Sequence, residues 1–128
     1  METEKIVIDW TDGFNGLLQA PGGEIEISET ALKPYNLLYG ALGSCFYATF
    51  LEIARKKRLH FDHGRVTITG TKRDEVPATL NYVKVVLTVS NPSNEVQIIK
   101  SAELGAKYCS IYTTISKVAA IDLVVEFE

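Results

Sequence analysis

The sequence predicts an α+β domain with helices packed on a mostly antiparallel sheet. Three observations carry that expectation. Apolar and polar residues alternate with period two in short runs near both ends and in the middle of the chain. One long stretch, Pro34 to about Leu59, instead repeats its apolar residues at helical spacing. Glycine, proline and asparagine gather at the junctions between these runs. The order reads β-β-β-α-β-β-α-β, a single domain over residues 1–128.

The chain begins with a strand over residues 4–10, Glu-Lys-Ile-Val-Ile-Asp-Trp. Asp12-Gly13 and Asn15-Gly16 are turn signals, and Asn-Gly is the strongest short hairpin cue. Residues 17–20 form the return strand. Pro21-Gly22-Gly23 turns the chain again, and residues 24–28 alternate, with Ile25 and Ile27 on one face. These first thirty residues make a short β-meander.

Pro34 suits the first turn of the long helix, since its missing N–H is not needed there. Residues 37, 38, 41, 42, 45, 46, 49, 50, 53 and 54 trace one buried face. Arg55-Lys56-Lys57-Arg58 places positive charge at the negative end of the helix dipole. Gly40 and Gly43 each cost about 1 kcal/mol of helix propensity. Their expected use is close approach of another backbone beside Cys45.

Residues 64–73 and 79–90 alternate as a hairpin around Asp74-Glu-Val-Pro77. A second helix follows Asn91-Pro92, with Ser93 as its expected N-cap and Val96, Ile99, Leu104 and Tyr108 on its apolar face. A short helical piece over 111–118 and a last strand over 121–127 complete the chain. The first hairpin fits poorly into a closed monomer, so the meander is expected to pair with a second copy in a homodimer.

With 128 residues, 16 acidic and 13 basic, the net charge is -3. A domain of this length buries roughly two-thirds of its unfolded surface, enough for a real core. The charge balance calls for neither nucleic acid nor an anionic membrane as partner. Three of the first five residues, Glu2, Glu4 and Lys5, are charged, and no signal-peptide core is expected in this stretch. No apolar run is expected to reach the ~20 residues that span a bilayer. The expected compartment is the cytoplasm, where any disulfide formed is expected to be transient and catalytic rather than a permanent staple.

The chemistry rests on two cysteines, Cys45 and Cys109, each within an apolar, helix-like stretch. Thiols can act as nucleophile and resolver with no metal and no bound cofactor. Either one alone reads equally well as a small buried hydrophobe. Cys45 lies mid-helix, where its own helix offers no N-terminal stabilisation of a thiolate. His60 and His63 lack metal-ligand spacing with the cysteines and read as loop residues. No phosphate-binding loop and no dinucleotide fingerprint occur. Tyr35, Tyr39, Phe46, Tyr47 and Phe50 follow the helix as core residues or as the lining of an apolar cleft.

Two segments resemble a known family. Lys33-Pro-Tyr-Asn-Leu-Leu-Tyr-Gly-Ala-Leu-Gly-Ser-Cys45 is similar to the central-helix motif of the OsmC/Ohr family, the osmotically inducible and organic hydroperoxide resistance proteins. Residues 106–119, from Ala-Lys-Tyr-Cys-Ser to Ser-Lys-Val-Ala, resemble the region of that family's second cysteine, in a form closest to the YhfA-like branch. The element order matches across essentially the whole chain. The resemblance implies an intertwined homodimer with active sites at the subunit interface. It implies reduction of organic hydroperoxides, with Cys45 peroxidatic, Cys109 resolving and a dithiol, of the lipoyl type in some members, as reductant.

Peroxidase members carry an arginine in the early glycine-rich turn and a glutamate just after the helix-starting proline. Here Phe14 stands at the first place, and Tyr35 and Asn36 at the second. Arg55, Arg58, Arg65 and Lys107 are the candidate replacements for the cation. Loss of the charged pair implies a weakened activity. The alternative reading is a non-catalytic relative that binds a small apolar ligand in a cleft formed by Phe14, Tyr35, Asn36, Tyr39 and Phe46.

Overall fold

A computed structural model describes residues 1–128. They form two compact units, residues 1–40 and 41–128.

The N-terminal unit is a three-stranded antiparallel meander of β1 (Val7–Trp10), β2 (Asn15–Ala20) and β3 (Gly23–Ser28). Trp10 pairs with Gly16, and the loop between them turns at Gly13, whose φ of 62° favours glycine. Asn15-Gly16 is therefore not the turn, contrary to its sequence cue. It opens β2, and the Asn15 side chain donates back to the Asp12 carbonyl to close the loop. Gly16 serves another purpose: a Cβ there would meet the Trp10 ring at 2.7 Å. Ile27 is buried, but Ile6, Val7, Trp10, Phe14 and Ile25 remain exposed.

Helix α1 (Pro34–Lys56) begins in this unit and continues into the next. Asn36 Oδ1 accepts the Lys33 N–H, the backward half of a capping box. The helix ends three residues before the expected Leu59. Arg58 adopts φ 58°, and the Leu59 N–H reaches back to the Ala54 carbonyl, the bonding of a helix C-terminus closed by a left-handed residue. Glycine is usual at that position, and an arginine there costs about 1–2 kcal/mol.

In the C-terminal unit the strand order is β4-β5-β6, from β4 (His63–Lys72), β5 (Leu80–Ser90) and β6 (Ala120–Phe127). The β4–β5 hairpin is antiparallel, while β6 runs parallel to β5. The strand pairing is mostly antiparallel, as expected, and is divided between two small sheets, the second of them mixed. Parallel pairing needs a crossover, supplied by α2 (Glu95–Tyr108) and α3 (Ser110–Ser116). The N-cap of α2 is Asn94, whose side chain accepts the Gln97 N–H. Ser93, the expected cap, instead accepts the His60 N–H on its hydroxyl, fixing the loop that leads to β4.

The core of this unit is one stripe from each layer. Leu42, Phe46, Phe50 and Ala54 recur every fourth residue on α1. Val83, Val85, Leu87 and Val89 are the inward face of β5, and Ile98, Ser101 and Ala102 that of α2. At 23 residues α1 is long and apolar enough to cross a membrane by length and composition, which corrects the expectation that no such run exists. In this fold its apolar stripe packs into the protein core.

Close backbone approach does occur, but not at the expected glycines. A Cβ on Gly40 would meet nothing, and one on Gly43 would touch the Ile68 and Val66 side chains of β4. Gly105 is the contact point. Its Cβ would stand 3.1 Å from the Phe50 Cα and 3.2 Å from the Phe50 nitrogen, so α2 lies directly on the α1 backbone.

Candidate active site

That contact sets the position of the second cysteine. Cys109 follows Gly105 by one turn and donates its N–H to the Gly105 carbonyl at 2.9 Å. It ends α2 and also caps α3, its Sγ accepting the Tyr112 N–H at 3.4 Å. Cys45 projects from α1 one turn before the contact. Its Sγ lies 3.9 Å from the Ser110 hydroxyl and interacts with the Cys109 thiol. Both thiols are reduced; Cys109 is buried and Cys45 is half-buried.

The electrostatics separate the two sulfurs. Burial opposes ionisation of Cys45, but the Ile111 N–H, the Cys109 thiol, and the hydroxyl and N–H of Ser110 outweigh it, leaving its pKa below the ordinary thiol value. Cys109 moves the other way. Its burial raises the pKa, as does its neighbour Cys45, against lowering by the Tyr112 and Ile111 N–H groups. The first proton to leave the pair therefore leaves from Cys45.

As expected, Cys45 has no helix N-terminus of its own, lying in the middle of α1. The stabilising N–H groups belong to a different helix, α3, whose first residues have no intrahelical acceptors. Ser110 and Ile111 are thus site residues that sequence inspection missed. The signal was present in Cys109-Ser110: a helix break at a cysteine frees the next N–H groups for a neighbouring anion. None of the groups that shift the Cys45 pKa is a lysine or arginine. Among the candidate replacements, Arg65 pairs with Glu128 at 3.4 Å, and Lys107 lies over the Tyr108 ring.

The other residues singled out in the sequence are placed as follows. Phe14 lies in the β1–β2 loop of the N-terminal unit and stacks on Trp10 at 5.1 Å. Tyr35 and Tyr39 meet edge to face on the first turns of α1, and Asn36 is engaged in its cap. Phe46 has no exposed surface and packs beside Phe50 and Tyr112.

Residues 27–124 match the family model described as OsmC-like protein. The chain belongs to the OsmC-like family. No match was found among curated proteins. Among solved structures, this OsmC-like chain is similar to a hypothetical protein from Aquifex aeolicus VF5, with 22% identity, TM-score 0.92, and coverage of 100% of this chain and 98% of the other. It is also similar to an OsmC like protein from Mycoplasma pneumoniae, at 15% identity, TM-score 0.86, and coverage of 98% and 97%. The organic hydroperoxide resistance protein OhrB of Bacillus subtilis matches at 15% identity, TM-score 0.69, and coverage of 98% of both chains. At these identities the likeness establishes the OsmC-like fold.

Two predictions arise from this geometry. Cys45 alkylation by iodoacetamide, resolved by peptide mass spectrometry, should rise with pH and level off at a lower pH than that of Cys109. Cys109 should still be gaining reactivity above that pH, because its thiol is held protonated. A Cys45 profile that levels off later than that of Cys109 would contradict the assignment. Gly105→Val should force α2 off the Phe50 backbone. Overpacking of this kind costs about 1–3 kcal/mol, read as a lower urea midpoint, and displacement of Cys109 should slow closure of a Cys45–Cys109 disulfide.

Proposed function

We propose that the protein is a thiol-dependent organic hydroperoxide reductase, with Cys45 peroxidatic and Cys109 resolving. The observation that carries this reading is the Cys45 thiol facing Cys109 while Ser110 and Ile111 stabilise its thiolate. Family membership and neighbours named for organic hydroperoxide resistance support it.

In the first step the Cys45 thiolate attacks the terminal oxygen of ROOH. A new S–O bond forms, the O–O bond breaks, and RO⁻ takes a proton to leave as ROH. Sulfur is oxidised to a sulfenic acid and the peroxide is reduced. Cys109 then attacks that sulfur. The S–S bond forms, the S–O bond breaks, and hydroxide leaves as water with the Cys109 proton. An external dithiol supplies two electrons and two protons to restore both thiols. Backbone N–H groups do the electrostatic work that the arginine would do, without its full charge. The expected consequence is a slower first step.

The chain acts as one OsmC-like domain that needs a second copy. The exposed apolar residues of the meander support pairing in a homodimer, with Phe14, Tyr35, Asn36 and Tyr39 bordering a substrate cleft at the interface. Light scattering at micromolar concentration should give twice the 14.2 kDa chain mass; a monomer would contradict this part. The expected compartment is the cytoplasm, where the disulfide is recycled. Consumption of cumene hydroperoxide in the presence of dihydrolipoamide tests the activity.

A further inference from the structure

At the far end of α1, ten residues beyond Cys45, an open cavity of about 630 Å³ is lined by Leu51, Arg55, Arg58, Leu59, His60 and Phe61. Its size is that of a small-molecule site. Two features set it apart from a solvated helix end. The four cations of the basic run are not equivalent: Lys56 pairs with Glu52 at 3.3 Å and Lys57 donates to Gln97 at 3.3 Å. Arg55 and Arg58, the two that line the cavity, have no carboxylate partner. Arg58 moreover occupies a left-handed position that glycine fills without strain. Between these cations the walls are apolar, with Leu51, Leu59 and Phe61 each half-buried.

Unpaired guanidinium groups beside an apolar floor recognise one chemistry: an anionic head that two arginines can clasp, attached to an apolar body. We propose that this cavity binds an amphipathic organic anion, an alkyl-chain carboxylate, through Arg55 and Arg58, with the chain lying on Leu51, Leu59 and Phe61. The site is separate from the thiol pair and does not depend on the proposed reductase activity.

Calorimetric titration of the full chain with decanoate tests it. Decanoate should bind saturably at one site per chain. Inorganic phosphate, which lacks the tail, and decyltrimethylammonium, which carries the same tail with opposite charge, should each bind at least about tenfold more weakly. The double variant Arg55→Gln, Arg58→Gln should lose about tenfold or more in affinity. The variant Lys56→Gln, Lys57→Gln removes the same charge outside the cavity and should bind as the parent does. His60→Glu, an exposed change that sets a carboxylate on the rim, should also weaken binding. Unchanged Cys45 alkylation rates report that each variant is folded. Equal binding of decyltrimethylammonium or of phosphate would overturn the proposal. So would an equal loss in the two double variants, or no loss in Arg55→Gln, Arg58→Gln and His60→Glu.

Discussion

Cys45→Ser should reduce hydroperoxide consumption to the rate of protein-free buffer. A serine hydroxyl is not ionised near neutral pH, and the N–H groups of Ser110 and Ile111 cannot make it so. The complementary variant separates the two roles. Cys109→Ser should consume one equivalent of peroxide per chain and stop, leaving a sulfenic acid on Cys45 that dimedone traps. Full turnover in Cys45→Ser would remove the peroxidatic assignment.

Phe50→Ala should produce the largest loss of stability. Phe50 has no exposed surface and packs beside Phe46, Tyr47 and Phe61, at centroid distances of 6.5, 5.7 and 5.8 Å. Its backbone is also the surface on which Gly105 rests. Truncating a buried phenylalanine costs about 3–5 kcal/mol, a large share of the 5–15 kcal/mol that typically holds a domain folded. The thermal midpoint should fall by roughly 10–20 °C. Leu51→Ala, half-buried on the same helix, should cost less. A Phe50→Ala midpoint within a few degrees of the parent would mean that the helix–helix contact does not organise this core.

The elements legible in the sequence were those governed by period. The stripe Leu42, Phe46, Phe50, Ala54 and the alternation Val83, Val85, Leu87, Val89 both appear in the structure as the core faces they suggested. Ends and junctions were less legible, because they depend on individual side-chain hydrogen bonds. Asn94 took the cap from Ser93, since the Ser93 hydroxyl was engaged by His60. Gly13 took the turn from Asn15-Gly16 because pairing of Trp10 with Gly16 drew the latter into the strand. The parallel register of β6 is a tertiary outcome that alternation alone does not encode.

At the candidate site, both thiols were visible as sequence signals, but their environment was not. Whether Cys45 has a stabilised thiolate depends on where α3 begins. That start is set by the break at Cys109, and the approach of α2 to α1 is set by Gly105, sixty residues after Cys45. Neither fact is local to Cys45. The missing arginine pointed to a replacement cation among Arg55, Arg58, Arg65 and Lys107; the groups that lower the Cys45 pKa are instead N–H groups and side-chain donors where α2 meets α3.

The most direct test of the account is a free-thiol count on reduced protein before and after one equivalent of cumene hydroperoxide, with the disulfide mapped by peptide mass spectrometry. The geometry of Cys45, Cys109 and the α3 N–H groups predicts rapid loss of both thiols and a single Cys45–Cys109 bridge. Two unreacted thiols would contradict it, and would leave an OsmC-like scaffold whose cysteines are packing residues and whose function lies in ligand binding.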